Sequence, residues 1–238
     1  MTDAPSLALP AALLVDQDGT LVDSEPVWES AERGLTESLG GVLTAEMRRA
    51  MVGAPLSVTI DAILSASGSD MSPETLGVTL VERVAHLLED SPVPWIRPVV
   101  ELVDRCRRAG TRVGLVTSSY RRIAEVVAPR IPGGVDVVVA GDDVTHPKPA
   151  PDAYLEAARR LGVTPQACLV LEDSPSGVEA GLASGARVVA IPNQLRIPPR
   201  PGLSRVCSAR ELDATVLARI MSGEDVDTVP AAWEPALR

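Results

Sequence analysis

Residues 12–26 read ALLVDQDGTLVDSEP, an apolar run that stops at two aspartates, Asp16 and Asp18, with Gln17 between them. Successive side chains of a strand alternate sides, so the spacing predicts both carboxylates on one side and Gln17 on the other. Like charges held this close repel each other. Two chemistries make the arrangement worthwhile: a divalent cation shared by the acids, or a reaction that uses one carboxylate as nucleophile and the other as acid.

Other apolar runs end in polar groups as well. Thr117 follows TRVGLV, Asp142 and Asp143 follow VDVVVAG, and Glu172 and Asp173 follow CLVL. A single run ending in Asp is ordinary turn chemistry, and the Asp142–Asp143 pair is read that way. Three runs ending in acid pairs, near a lone lysine, point to a site. Of the 22 basic residues, Lys148 is the only lysine and the rest are arginines. A chain that uses Arg everywhere else and keeps Lys here suggests a place where a compact point charge is needed and a planar fork is not. A calcium loop of the EF-hand type fails, because Gly19 falls at the fourth position counted from Asp16 and the loop needs it at the sixth. No glycine-rich phosphate loop occurs. The two histidines, His86 and His146, accompany no serine in an elbow motif, which removes a Ser-His-Asp hydrolase.

These groups need a scaffold that brings them together. From residue 98 onward, helical and strand patterns alternate: PVVELVDRCRRAG, SYRRIAEVVAPR, APDAYLEAARRLG and SPSGVEAGLASGA at helical spacing, and TRVGLVT, VDVVVAG, ACLVLED and RVVAIP as short apolar runs. With AALLVDQD these make five buried strands of a parallel α/β sheet covered by helices on both faces. In such sheets ligands sit beyond the carboxyl ends of the strands, where the polar residues above stand. Residues 24–92 break the alternation. Val27, Ala31, Leu35 and Leu39, then Leu76, Leu80, Val84 and Leu88, recur at helical spacing with no convincing strand between them. The expected organisation is a Rossmann-like core of residues 1–23 and 93–238 with an all-helical domain, residues 24–92, inserted after the first strand. The acidic tail from Ser222 lacks periodicity and is expected on the surface.

Composition narrows the function. The chain of 238 residues is 45% hydrophobic yet lacks Phe, so its core is aliphatic. A net charge of −10 argues against nucleic acid or an anionic membrane as partner. Three cysteines without metal-ligand spacing fit a reducing, cytoplasmic setting. The apolar start ends in DQD and carries Asp3 where a signal peptide has basic residues.

The motifs DQDGTLVDSEP, LVTSS, HPKPAPDAY and VLEDSPSGVEAG, in that order, resemble those of the haloacid dehalogenase superfamily, and more narrowly its β-phosphoglucomutase-like phosphatases with a helical cap. The resemblance spans residues 10 to about 193. It implies phosphoryl transfer from a small phosphorylated metabolite, such as a sugar phosphate, with Mg²⁺ as cofactor and an aspartyl phosphate as intermediate. By position, Asp16 is then the nucleophile and Asp18 the general acid and base. Thr117, Ser118 and Lys148 bind the phosphoryl group. Asp16, the main-chain carbonyl of Asp18, Asp173 and, through water, Glu172 hold the metal.

The sequence departs from the family pattern twice. Gln17 stands where the family usually carries an apolar residue, and alternation assigns its amide to the packed side of the strand in a structural role. Leu56 stands near the place where mutase relatives carry an arginine for a second phosphate, which favours hydrolysis over isomerisation. The alternatives are a sugar phosphomutase and a catalytically silent binding module. Dehalogenase chemistry has no use for Asp18, and phosphonatase chemistry needs a second lysine.

Overall fold

The computed structural model describes residues 9–51 and 53–234. They form two compact units: the chain up to Asp23 together with the chain from Pro94 onward, and Ser24–Val93.

The first unit is built on a parallel sheet of β1 (Ala12–Val15), β2 (Arg112–Val116), β3 (Val137–Val139), β4 (Cys168–Glu172), β5 (Arg187–Ala190) and β6 (Leu203–Arg205), in the order β3-β2-β1-β4-β5-β6. β1 lies at the centre, with Val15 in register with Leu115 on β2 and Leu171 on β4. Strand order reverses at β1, so the carboxyl ends of β1, β2 and β4 border one crevice. Every residue of β1 and β4 is buried, which accounts for their unbroken apolar runs.

β6 was not legible in the sequence. Its three residues, Leu-Ser-Arg, make no apolar run, and the chain that follows supplies what the strand lacks. Arg205 N–H donates to Val226 O at 2.7 Å, and its guanidinium donates to Ile197 O at 2.7 Å and to Asp227 Oδ2 at 2.7 and 3.2 Å. Ser204 Oγ accepts from Val226 N–H at 3.0 Å. Part of the acidic tail is therefore stitched to the sheet edge, with Val226 and Val229 buried, contrary to the surface location expected for it.

Numbered after the four helices of the second unit, α5 (Arg97–Arg108), α6 (Arg121–Val127), α7 (Asp152–Leu161) and α8 (Pro175–Ala183) follow the sequence pattern, and α9 (Ala214–Ser222) is a further helix that pattern did not include. α7 stops at Gly162, whose φ of +66° closes the left-handed cap. α8 packs so tightly on the sheet that a Cβ on Gly181 would lie 2.9 Å from Val188 Cγ2 and 3.2 Å from Val170 Cγ1.

The second unit holds α1 (Glu25–Ser38), α2 (Ala45–Met51), α3 (Leu56–Ser67) and α4 (Pro73–Glu89), and no strand among its described residues. Leu76, Leu80, Val84 and Leu88 form the buried stripe of α4, and Ser72 caps its start by accepting the Thr75 N–H. On α1 only Ala31 and Leu35 of the expected stripe are fully buried; Val27 and Leu39 at its ends are half-buried. α1 also carries Glu32, whose carboxyl is pushed up to about 7 by burial, with Glu25 and Glu29 on the same helix adding to it.

Two outcomes follow. Gly181→Val inserts a branched side chain where no space exists and should cost about 1–3 kcal/mol of stability, read by chemical denaturation. Glu32 binds more protons folded than unfolded between its ordinary 4.5 and about 7, so its contribution is present below that window and lost as the pH rises through about 7. Glu32→Gln should accordingly raise the melting temperature near pH 8 and lose that advantage near pH 5.

Candidate active site

β1 ends at Val15, and the chain then turns sharply. Leu21 N–H and Val22 N–H both donate to Gln17 O, at 3.0 and 2.9 Å, and Gly19 N–H donates to Val22 O at 2.8 Å. Gly19 has φ +83°, and a Cβ there would meet Asp173 Oδ2 at 2.1 Å. The turn thus requires glycine for its backbone and for the close approach of β4's acid. Thr20 Oγ1 completes that approach by donating to Asp173 Oδ1 at 3.0 Å.

Lys148 is the hub. Its Nζ donates to Asp16 Oδ1 at 2.6 Å, to Glu172 Oε1 at 2.7 Å and to Val116 O at 2.9 Å, with the side chain 2% exposed. These three bonds use all three ammonium protons. Nζ also lies 4.9 Å from the centre of the Tyr154 ring, and Tyr154 Oη donates to Glu172 Oε1 at 2.6 Å. The other oxygen of Glu172 accepts from Ser174 Oγ at 3.0 Å and from Asp173 N–H at 3.2 Å, at the start of α8. Glu172 lies against that helix closely enough that a Cβ on Gly177 would collide with its carboxylate.

Asp16, Glu172 and Asp173 are all buried, and one oxygen from each falls within 4.8 Å of the others. Burial pushes the Asp16 carboxyl well up, with Glu172 and Asp173 adding to it and Lys148 opposing. Burial and Glu172 likewise raise Asp173, against the Thr20 hydrogen bond and Lys148. Burial disfavours the Lys148 ammonium, but Asp16 and Glu172 outweigh it and hold it charged. One ammonium among three buried carboxylates leaves negative charge uncompensated, and hard oxygen donors this close together suit a divalent cation such as Mg²⁺.

Asp18 faces a second set of donors. Its Oδ2 accepts from Ser119 Oγ at 2.7 Å, Thr117 Oγ1 at 3.2 Å and Gln17 Nε2 at 3.2 Å. Thr117 stands at the end of β2, its N–H donating to Val139 O at 3.0 Å. The expected Asp16, Asp18, Thr117, Lys148, Glu172 and Asp173 therefore come together at the edge formed by β1, β2 and β4. Ser118 does not join them: it is exposed, and the network draws on Ser119. Asp142 and Asp143 serve the turn, as expected. Asp142 Oδ1 accepts Arg121 N–H at 2.8 Å, and Asp143 Oδ1 accepts Arg121 Nε–H at 2.7 Å. His146 is exposed and bonds Asp152.

The placement of Gln17 corrects the expectation. Alternation stops with the strand at Val15, so the turn is free to bring the amide to Asp18 even though Gln17 is buried. Tyr154 was also missed. A phenol buried to 1% exposure needs an acceptor, and a tyrosine kept in a chain without Phe was the available signal.

Residues 10–185 match the haloacid dehalogenase-like hydrolases. Fructose-1-phosphate phosphatase YqaB of Escherichia coli is 35% identical over 186 residues, covering 76% of this chain and 96% of that protein. Hexitol phosphatase B of Escherichia coli is 30% identical over 188 residues, covering 76% and 83%. Among solved structures, CbbY from Rhodobacter sphaeroides in complex with phosphate superposes with a TM-score of 0.75 at 25% identity, covering 85% of this chain and 96% of that one. The parallel sheet, the acids along its carboxyl edge and a match that runs through all four motifs agree, and the chain belongs to the haloacid dehalogenase-like hydrolase family.

Proposed function

We propose that this protein is a Mg²⁺-dependent phosphomonoester hydrolase acting on a small phosphorylated carbohydrate. One observation carries the reading: Asp16 and Lys148 are in contact, within a cluster of buried acids, beside a separately held Asp18. The named activities of the relatives, on fructose 1-phosphate and on phosphorylated hexitols, support the substrate class.

In this mechanism Asp16 attacks the phosphorus and forms the aspartyl phosphate as the ester P–O bond breaks. Asp18 gives its proton to the departing oxygen. It then takes a proton from the water that cleaves the aspartyl phosphate, releasing inorganic phosphate and regenerating Asp16. Lys148 offsets the charge of an anion approaching an anion, and Thr117 donates to the phosphoryl oxygens. Mg²⁺, held by Asp16, Asp173 and the main-chain carbonyl of Asp18, supplies further positive charge when bound. Glu172 acts mainly through Lys148, since its oxygens already accept from Lys148, Tyr154, Ser174 and the Asp173 N–H. The role is cytoplasmic and metabolic, and neither nucleic acid nor membrane is its partner. No helix among the described residues is long and apolar enough to cross a membrane.

The direct test is phosphate release from a panel of phosphorylated sugars and polyols. Activity should vanish with chelator and return with Mg²⁺. Asp16→Asn should abolish turnover, because no other side chain takes the covalent role; full activity in that variant overturns the mechanism. Leu56 opens α3 with an apolar side chain, so a hexose 1-phosphate should yield free phosphate. Near-complete conversion to the 6-phosphate would instead identify a mutase.

A further inference from the structure

Gln17 is buried to 1% exposure, its Nε2 donates to Asp18 Oδ2, and its Oε1 has no hydrogen-bond partner among the described residues. Reversing the amide would set Oε1 against a carboxylate oxygen, acceptor against acceptor, so the orientation follows from Asp18. An apolar residue would avoid the unpaired buried carbonyl and its cost. What the amide provides in return is a donor to Asp18.

The two oxygens of Asp18 are unequal. Oδ2 accepts from Ser119, Thr117 and Gln17, whereas Oδ1 is buried with no partner among the described residues. An oxygen engaged by three donors is poorly placed to carry a proton, which leaves Oδ1 to carry it. We propose that Gln17 is a positioning residue that keeps Asp18 turned so that Oδ1 exchanges the proton with the leaving group. The proposal rests on the reading of Asp18 as general acid.

Ser119 and Thr117 hold the same oxygen through rotatable hydroxyls, at 2.7 and 3.2 Å. Thr117 is also assigned to the phosphoryl group, and its hydroxyl already accepts the Ser119 N–H at 2.9 Å. The Gln17 amide has no such second task. Its main chain is fixed by the two N–H groups of Leu21 and Val22 that share its carbonyl, and its buried side chain holds the amide 3.2 Å from Oδ2.

Leaving groups of different basicity test the idea. An alkyl alkoxide needs the proton as the P–O bond breaks; p-nitrophenolate leaves without it. The value of kcat/KM reports this first transfer to Asp16. For wild type, Gln17→Met and Gln17→Leu, kcat/KM is measured on p-nitrophenyl phosphate and on the fastest of fructose 1-phosphate, glucitol 6-phosphate and glycerol 3-phosphate, with Mg²⁺ present. The alkyl-to-aryl ratio should fall about tenfold in both variants, with melting temperatures equal to or above wild type. The ratio does not depend on the fraction of folded enzyme. An unchanged ratio, whether the two activities hold or fall together, overturns the proposal and leaves Gln17 a structural residue. Wild-type protein that releases phosphate from none of the alkyl esters overturns the reading of a phosphorylated carbohydrate as substrate, and this inference with it.

Discussion

Among the described residues, the ammonium of Lys148 is the one positive charge set among the buried carboxylates of the site, and the ends of the central strands meet around it. A buried charge is tolerated only when paired and hydrogen-bonded, and all three protons of this one are taken up by Asp16, Glu172 and the Val116 carbonyl. Those partners come from β1, β4 and β2, so the ammonium ties the ends of three neighbouring strands together. A guanidinium would present a planar fork of five donors where three acceptors converge on a point, which gives a physical reason for a lysine in an otherwise arginine-only chain.

Glu172 shows how such a charge is supported from behind. It is fully buried, and Lys148 and Tyr154 share one of its oxygens while the Asp173 N–H and Ser174, the residue that caps α8, hold the other. The helix start offers unpaired N–H groups and a favourable dipole to a carboxylate. Gly177 clears the space for it. Asp173, one residue on, is turned instead toward Gly19 and Thr20 of the loop after β1. Adjacent acids at the end of β4 thus serve different partners: one braces the lysine, and the other completes the oxygen cluster with Asp16.

The loop after β1 places Asp18 and Gln17 by local geometry. Residues 17–22 close on themselves through main-chain hydrogen bonds, and the left-handed Gly19 permits the reversal. Side-chain directions within that loop follow from the turn and no longer from the pleat of the strand. A buried polar side chain there can join the site instead of the packed face. The same logic applies at the far edge of the sheet, where Arg205 is buried because the tail brings Asp227 to it.

The α/β class, the central strand, the alternation after residue 98 and the six residues that the fold gathers at the carboxyl edge were legible in the sequence. Their signals are local: apolar runs of strand length, helical spacing, and acids where those runs stop. Lys148 stood out by type alone. Other features depended on residues distant in the chain meeting in space. β6 is too short and polar to show a period, and exists because Val226 and Asp227 satisfy it. Ser119 joins the network because the turn after β2 directs its hydroxyl at Asp18. Tyr154 acquires its role from Glu172 on a neighbouring strand. Gln17 reaches Asp18 because the strand ends at Val15, three residues short of the Asp18 to which the alternation was carried. Periodicity and residue type identify which groups are available for chemistry; the hydrogen-bonded turns and strand order decide which of them touch.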